Sequence, residues 1–367
     1  MNKSLQVANI SLTSHCNLLC KHCGAIDSNY EMALDDIIYI IDRLAGYGVN
    51  HIIFSGGEPF CRKDIFEILD KCEKMKIIFA ILTNGTMADP EVLLKLKRYK
   101  FLSYVRISVD YASSDKMDLF RGMKGIMKRI YATAHLLKKL EISFGIGLTI
   151  MDSNLEEIYQ VAKIARDLGA TFFRASPVVA IGKSSDIHHD VEFYKRAILE
   201  IFETRKKLNI GKEYPFIMLP QNLNRLTKNF LLMCQGGVNE ISIMPDGSIN
   251  RCPLSKNNEN INIYKMTFDE AIKCVMEDCK NHETDYIEIE ECKQCKYKER
   301  CKGGCYAELE SVGKPLCLKA ILESVCESCK DEYIRIYGNI LYEQKMRGNY
   351  SGCMRSLALW IIPFKGI

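Results

Sequence analysis

The chain has little charge imbalance, no long apolar run and no stretch that reads as a targeting signal. Its net charge is only +4 over 367 residues. That is too mild to argue for nucleic acid, although a weakly basic surface suits an acidic peptide or an anionic cofactor. No apolar run reaches the roughly 18 residues of a membrane span. The segment LALWIIPFKGI is too short for one and reads as a core-packing tail. The stretch MNKSLQVANISLTSHC lacks an apolar run of signal length. The expectation is a cytoplasmic protein with no nucleic-acid and no membrane partner. Neither an internal repeat nor a low-complexity tract is present.

Cysteine, by contrast, is abundant, with 17 in the chain. Disulfides belong to oxidising compartments. So many thiols in a chain read as cytoplasmic are either small buried hydrophobes or metal ligands, and spacing decides between the two. Hydrophobic residues make up 47% of the sequence, enough for one large domain and a small one.

The first half alternates two periodicities. Apolar, strand-like runs fall at Leu5–Leu12, His51–Phe54, Ile77–Leu82, Tyr104–Val109, Ser143–Ile150 and Thr171–Ala175. Amphipathic, helix-like stretches lie near Ala33–Tyr47, Lys63–Lys74, Pro90–Tyr99, Lys124–Leu140, Asn154–Leu168 and Val191–Leu208. Strands alternating with helices at this spacing predict a parallel sheet wound by right-handed crossovers. The fold class expected is α/β, a partial (β/α)6 barrel, with its chemistry at the carboxyl ends of the strands. Near Gly211–Pro220 the helical periodicity weakens and cysteine density rises. We expect a barrel over residues 1–215, a small cysteine-rich domain over 220–330, and a helical then irregular tail over 331–367. Metal rather than a large core would hold the small domain together.

Cys16, Cys20 and Cys23 form a C-x3-C-x2-C run directly after the first strand. Three thiolates on one short loop can bind three irons of a 4Fe–4S cube and leave the fourth free for a small molecule bearing an amine and a carboxylate. The alternative is a zinc site completed by His15 or His22. The second strand runs into Ser55-Gly56-Gly57-Glu58-Pro59, the third ends in Thr83-Asn84-Gly85, and the fourth in Ile107-Ser108-Val109-Asp110. Two glycines allow a backbone to approach a ligand closely, and Pro59 stiffens the turn. Arg121-Gly122 follows the next loop, and Thr149 closes the fifth strand.

This order of motifs resembles the radical S-adenosylmethionine (SAM) superfamily. The resemblance implies a 4Fe–4S cluster on Cys16, Cys20 and Cys23 with SAM on its open iron. It further implies cofactor contacts from Gly56, Gly57, Glu58 and Pro59 (the GGEP motif, Glu58 toward the ligand ammonium). Asn84, Ser108 and Asp110 would lie toward the sugar, and Arg121 toward the methionine carboxylate. An electron donor such as flavodoxin or ferredoxin would reduce the cluster.

Farther on, Cys234 is followed by Gly247 and Cys252, and then by Cys292-x2-Cys295-x5-Cys301-x3-Cys305 and Cys317. This pattern resembles the SPASM domain of radical SAM peptide and protein maturases, which implies two auxiliary iron–sulfur clusters. By that match Cys292, Cys295, Cys301 and Cys317 hold the distal cluster, and Cys234, Cys252 and Cys305 the proximal one. The loop Gln235-Gly236-Gly237-Val238-Asn239-Glu240 lacks the extra cysteine of the sulfatase maturases, so the proximal cluster is expected to keep an open or non-cysteine site. A zinc ribbon is again the alternative. Cys61 and Cys72 read as ordinary thiols, and Cys326-x2-Cys329 as an unliganded, substitute-ligand or redox pair. Asp110, Asp246 and Glu240 are acidic residues at loop ends with no readable acid–base role.

The resemblance implies a precursor peptide or protein as substrate, with hydrogen abstraction followed by a thioether or carbon–carbon crosslink. A separate leader-binding protein is the expected partner, since the chain starts almost at its first strand. Formylglycine formation on a sulfatase, a tetrapyrrole or quinone cofactor maturase, and a non-enzymatic zinc-ribbon module are the other readings.

Overall fold

Short aliphatic runs such as Val7–Ser11 and His51–Ser55 are buried along nearly their whole length, as expected for parallel strands covered on both faces. The structure is a computed structural model. It describes residues 5–24, 29–87, 89–187, 189–208, 217–218, 236–255, 258–285, 290–295, 298, 305–312, 317 and 320. The expected tail over 331–367, the pair Cys326 and Cys329, and Cys234 and Cys301 lie outside the described residues.

Six strands build the barrel wall: β1 (Val7–Ser11), β2 (His51–Ser55), β3 (Ile78–Thr83), β4 (Leu102–Ser108), β5 (Phe144–Ile150) and β6 (Phe172–Pro177). Each pairs in parallel with the next. The sheet continues past both ends of this set. β7 (Ile217–Met218) adds to β6, β8 (Glu240–Ile243) pairs in parallel with β1, and β9 (Ile249–Asn250) turns back antiparallel on β8. The order is β7-β6-β5-β4-β3-β2-β1-β8-β9. The two end strands do not meet, so the barrel is open. The cysteine-rich part of the chain thus begins by extending the barrel sheet through β8.

Helices alternate with these strands: α1 (Leu34–Gly46), α2 (Ile65–Met75), α3 (Pro90–Leu96), α4 (Ser114–Arg121), α5 (Ile126–Lys139), α6 (Ile158–Leu168) and α7 (Val191–Lys207). α1 shows why they pack as they do. Ile37, Ile40, Ile41 and Leu44 make one buried stripe at helical spacing, with Asp35 and Asp36 in the first turn and Arg43 in the last. α8 (Phe268–Asp285) packs on β9, and a short helix spans Tyr306–Val312. Among the described residues no helix is long and apolar enough to cross a membrane.

Helix α4 was not expected. Its sequence SDKMDLFR is mostly polar and buries only Met117, Phe120 and Arg121, so hydrophobic periodicity could not reveal it. Its punctuation was nonetheless present. Ser113 caps the first turn by accepting the Lys116 N–H, and Gly122 ends the helix at φ 74°.

The inner face of the wall is set by register. Leu82 lies opposite Arg106, Arg106 opposite Gly145, Ser108 and Arg174 opposite Gly147, and Thr149 opposite Ser176. These residues share one face and, apart from buried Gly145, are only partly buried, while their neighbours on the helix side are buried. A polar lumen therefore opens at the carboxyl ends of β3 to β6.

Candidate active site

The loop carrying Cys16, Cys20 and Cys23 leaves β1 at the open end and is fastened on three sides. Before Cys16 it lies against the GGEP turn: Gly57 donates its N–H to the Thr13 carbonyl at 2.6 Å, and Glu58 donates to the His15 carbonyl at 2.9 Å. In its middle it lies on the end of α4, where Leu19 N–H donates to the Arg121 carbonyl (3.0 Å) and Lys21 N–H to the Phe120 carbonyl (3.1 Å). His22 stacks on Phe120 at 4.9 Å between ring centroids. At its end the Cys23 carbonyl accepts the Lys183 N–H at 2.9 Å, from the loop after β6.

The glycines of the GGEP turn have a different physical cause from the one the sequence suggests. A Cβ on Gly57 would stand 2.1 Å from the His15 carbonyl oxygen, and one on Gly56, at φ 135°, would stand 2.5 Å from that of Thr13. The close approach is to the protein's own cysteine loop. Pro59 starts a short 3-10 turn, and Glu58 caps it by accepting the Phe60 N–H.

The Glu58 side chain is fully buried. Its Oε1 accepts from the Thr83 hydroxyl at 2.8 Å and the Phe60 N–H at 3.2 Å, and its Oε2 accepts the Asn84 N–H at 2.7 Å. Burial raises the carboxyl to about 7 in spite of these donors. Glu58 thus ties the second strand end to the third, and its remaining lone pairs are what it has for a ligand.

Asn84 in turn reaches the cysteine loop. Its Nδ2 donates to Asn17 Oδ1 at 2.9 Å and approaches Cys16 Sγ at 3.7 Å. Its Oδ1 accepts from the Thr86 hydroxyl and N–H, and Asn17 Nδ2 donates to Thr86 Oγ1 at 2.8 Å. Asn17 and Thr86 were missed in the sequence, where single amides and hydroxyls in loops carry no signal of their own.

Asp110 and Arg121 meet each other. Arg121 Nε donates to Asp110 Oδ2 at 3.0 Å, its Nη2 joins the same oxygen, and both side chains are buried. Asp110 Oδ1 also accepts the Thr149 N–H, and Asn154 bridges the Asp110 and Thr149 carbonyls. Ser108 is partly exposed on the lumen face.

The donor set suits a cluster. Cys16 Sγ accepts the Leu18 N–H at 3.4 Å. Burial raises the Cys16 thiol and pushes Cys20 up to about 11, while the Arg121 guanidinium pulls Cys20 the other way. Thiols held this way become thiolates when a cation takes them. Among the described residues no three His, Cys, Asp or Glu side chains gather closely enough to hold a single metal ion. A cube asks for less, because each thiolate meets its own iron.

In the second cysteine set, Cys252 Sγ accepts the Leu254 N–H at 3.4 Å, the same turn that Cys16 makes with Leu18. Three chain segments converge there. A Cβ on Gly236, two residues past Cys234, would lie 3.5 Å from that of Cys252. The Arg251 guanidinium sits over the Tyr306 ring at 3.5 Å, joining the neighbours of Cys252 and Cys305. Cys292 and Cys295 share a turn, with the Cys295 N–H donating to the Cys292 carbonyl at 3.1 Å. Cys317 is exposed, Cys72 is buried in the core, and Cys61 closes the 3-10 turn after Glu58.

The Radical SAM superfamily description matches residues 10–165. The AdoMet-dependent heme synthase of Methanosarcina barkeri is 34% identical over 204 residues, covering 54% of this chain and 58% of that protein. The subtilosin biosynthesis protein AlbA of Bacillus subtilis is 32% identical over 257 residues, covering 67% of this chain and 54% of that protein. The chain therefore spans just over half the length of these two curated relatives. The solved structure of native anSMEcpe with bound AdoMet and Cp18Cys peptide shares the fold. Its TM-score is 0.67 at 21% identity, covering 94% of this chain and 99% of that one.

Proposed function

Residues 10–165 place this chain in the radical SAM superfamily, and on that premise we propose that it is a maturase that abstracts hydrogen from a ribosomally made precursor peptide to install a thioether or carbon–carbon crosslink. The observation that carries the reading is the fastening of the Cys16, Cys20 and Cys23 loop onto the GGEP turn, directly above a partly exposed polar lumen. When bound, the reduced 4Fe–4S cluster and SAM supply a 5′-deoxyadenosyl radical able to abstract hydrogen from an unactivated carbon.

The chain's own residues do the positioning. Cys16, Cys20 and Cys23 hold the cluster. The backbone of Gly56 and Gly57 and the carboxylate of Glu58 receive the cofactor's ammonium. Asn84 and Ser108, from neighbouring strand ends, face its sugar, and the buried Asp110–Arg121 pair fixes the far wall. Arg121 lends its positive charge to the methionine carboxylate while it stays bonded to Asp110.

The second cysteine set is assigned two auxiliary clusters, with Cys234, Cys252 and Cys305 on the proximal one and Cys292, Cys295, Cys301 and Cys317 on the distal one. The meeting of the Gly236, Cys252 and Tyr306 segments supports the first group. These clusters would accept the electron released when the crosslink closes. A leader-binding protein and a flavodoxin- or ferredoxin-type donor complete the system, and a cytoplasmic location follows from that donor. The relationship to AlbA, named for the biosynthesis of a bacteriocin, favours a peptide. A second reading, a tetrapyrrole maturase, is favoured by the relationship to the heme synthase.

The test is anaerobic reconstitution with a candidate precursor peptide under strong reductant. The expected result is 5′-deoxyadenosine together with a peptide lighter by two hydrogens per bond. Deoxyadenosine with no mass change in any precursor peptide tried, with or without cysteine, would refute the peptide reading, and no deoxyadenosine at all would refute the radical chemistry.

A further inference from the structure

The lumen has a floor and, directly above it, two arginines. The floor is aromatic. Tyr104 of β4 and Phe172 of β6 meet edge to face at 5.2 Å between centroids. Gly145 of β5 lies between them, where a Cβ would strike the Phe172 ring at 2.2 Å. One lumen position higher on the same strands stand Arg106, opposite Gly145, and Arg174, opposite Gly147. A Cβ on Gly147 would lie 3.2 Å from Arg106 Cδ and Nε. Two guanidinium groups thus share a recess whose central wall carries no side chain.

Among the described residues, no carboxylate hydrogen-bonds to Arg106, and Arg106 has no other hydrogen-bond acceptor. Arg174 Nε donates to Ser176 Oγ at 3.0 Å, and Glu240, held by Asn9 at 2.7 Å, lies within electrostatic reach of Arg174. Glu240 is harder to ionise because it is buried. Burial and the neighbouring Arg174 lower Arg106 to about 10, so it still carries its charge at neutral pH. A guanidinium left unpaired in a protein interior is costly, yet Arg106 keeps accessible surface toward the lumen.

The cofactor's own anionic group does not account for the recess. On the proposed reading its amine and carboxylate would be held by the cysteine loop, the GGEP turn and Arg121, whose backbone lies on that loop above the strand ends. Arg106 sits two residues before the strand end at Ser108, on the β4–β6 side, about 7 Å deeper along the strand. Sugar and adenine bring no negative charge.

We propose that Arg106 and Arg174 form a binding subsite for a carboxylate group of the substrate, which anchors the substrate in the lumen beneath the cofactor. A planar carboxylate matches the fork of a guanidinium, and the bare wall at Gly147 lets it lie between the two. The subsite rests on the radical SAM reading and serves either an acidic peptide side chain or a carboxylate arm of a tetrapyrrole.

The test uses the anaerobically reconstituted full chain with SAM and no reductant. Two probe pairs separate the sources: acetyl-Gly-Glu-Gly-amide against its Gln counterpart, followed by ligand-observed NMR, and coproporphyrin III against its tetramethyl ester, followed by fluorescence. One carboxylate probe should bind wild type at least about tenfold better than its neutral partner, and whichever pair responds names the source. The preference should fall below about twofold in Arg106→Gln and be partly kept in Arg106→Lys. The Lys variant retains the charge and guards against a Gln variant that misfolds. Equal binding of both members in both pairs, a preference that survives Arg106→Gln, or displacement of the carboxylate probe by added SAM would each overturn the proposal. Deoxyadenosine release by wild type under reductant is scored separately, so failure of the subsite is distinguishable from failure of the radical chemistry.

Discussion

Replacing Gly57 by alanine isolates the physical link between the GGEP turn and the cluster loop. A Cβ at this position would stand 2.1 Å from the His15 carbonyl oxygen, against a floor of 3.0 Å for real contacts. One of the two backbones must therefore retreat by about 1 Å. The retreat stretches two hydrogen bonds, Gly57 to Thr13 and Glu58 to His15, each contributing about 1 kcal/mol net. Overpacking adds about 1–3 kcal/mol. The expected loss is about 3–5 kcal/mol, concentrated at the loop just before Cys16. A displacement of that size next to the reacting centre costs on the order of 100-fold in rate. The control is Gly46→Ala, because Gly46 ends α1 in open space, where an added methyl group would meet nothing within 4 Å. It should stabilise slightly, by about 0.5–1 kcal/mol. The assay is deoxyadenosine release by anaerobically reconstituted protein, with iron content and far-ultraviolet circular dichroism in parallel. Gly57→Ala with unchanged iron content and unchanged release would refute the claim that the glycines serve the protein's own loop.

Three other perturbations probe the same site. Asp110→Asn removes the counter-charge of buried Arg121 and should cost about 3–5 kcal/mol in denaturant unfolding; adding Arg121→Met should recover part of that loss, and additive losses in the double variant would count against the pairing. Glu58, raised from 4.5 to about 7 by burial, contributes stability that is full below its unfolded value and is lost as pH rises through about 7. Wild type should therefore lose about 2 kcal/mol relative to Glu58→Gln between about pH 5.5 and 8. Taking the difference cancels the opposite slope of His51, whose buried imidazole is lowered to about 3; a difference that does not change with pH would exclude the buried acid. Replacing Cys16, Cys20 and Cys23 together by alanine should abolish deoxyadenosine release while iron remains on the second cysteine set, and complete loss of iron would show that the two sets do not load independently.

The barrel was legible because each strand is a short aliphatic run and each covering helix has one apolar stripe, as α1 shows. These are local patterns, and the chain states them within a few residues of each other. Helix α4 was not legible in this way, since a helix whose buried residues are Met117, Phe120 and Arg121 has no stripe to read. The partnership of Asp110 with Arg121 was hidden for the same reason, because it exists only once α4 folds back over the fourth strand end. Arg106 and Arg174 were illegible for a different reason. Each is a single basic residue inside an apolar strand, and only the pairing of β4, β5 and β6 sets them on one face with a glycine between.

The GGEP turn shows how one motif can be read correctly in place and incompletely in cause. Its position after the second strand was visible, and close backbone approach is what two adjacent glycines permit. The sequence could not say what approaches. In the folded chain it is the segment Thr13–His15, so the glycines set the height of Cys16 before any ligand arrives. Glu58 extends the same device to the third strand by holding Thr83 and the Asn84 backbone, and Asn84 returns to Asn17 and Cys16. The circuit closes on itself through three strand ends and one loop. Held in a closed circuit, Cys16 cannot shift alone, so if it holds the proposed cluster, a substitution at Asn17 or Thr86 should alter the cluster's spectrum as well as the stability of the fold.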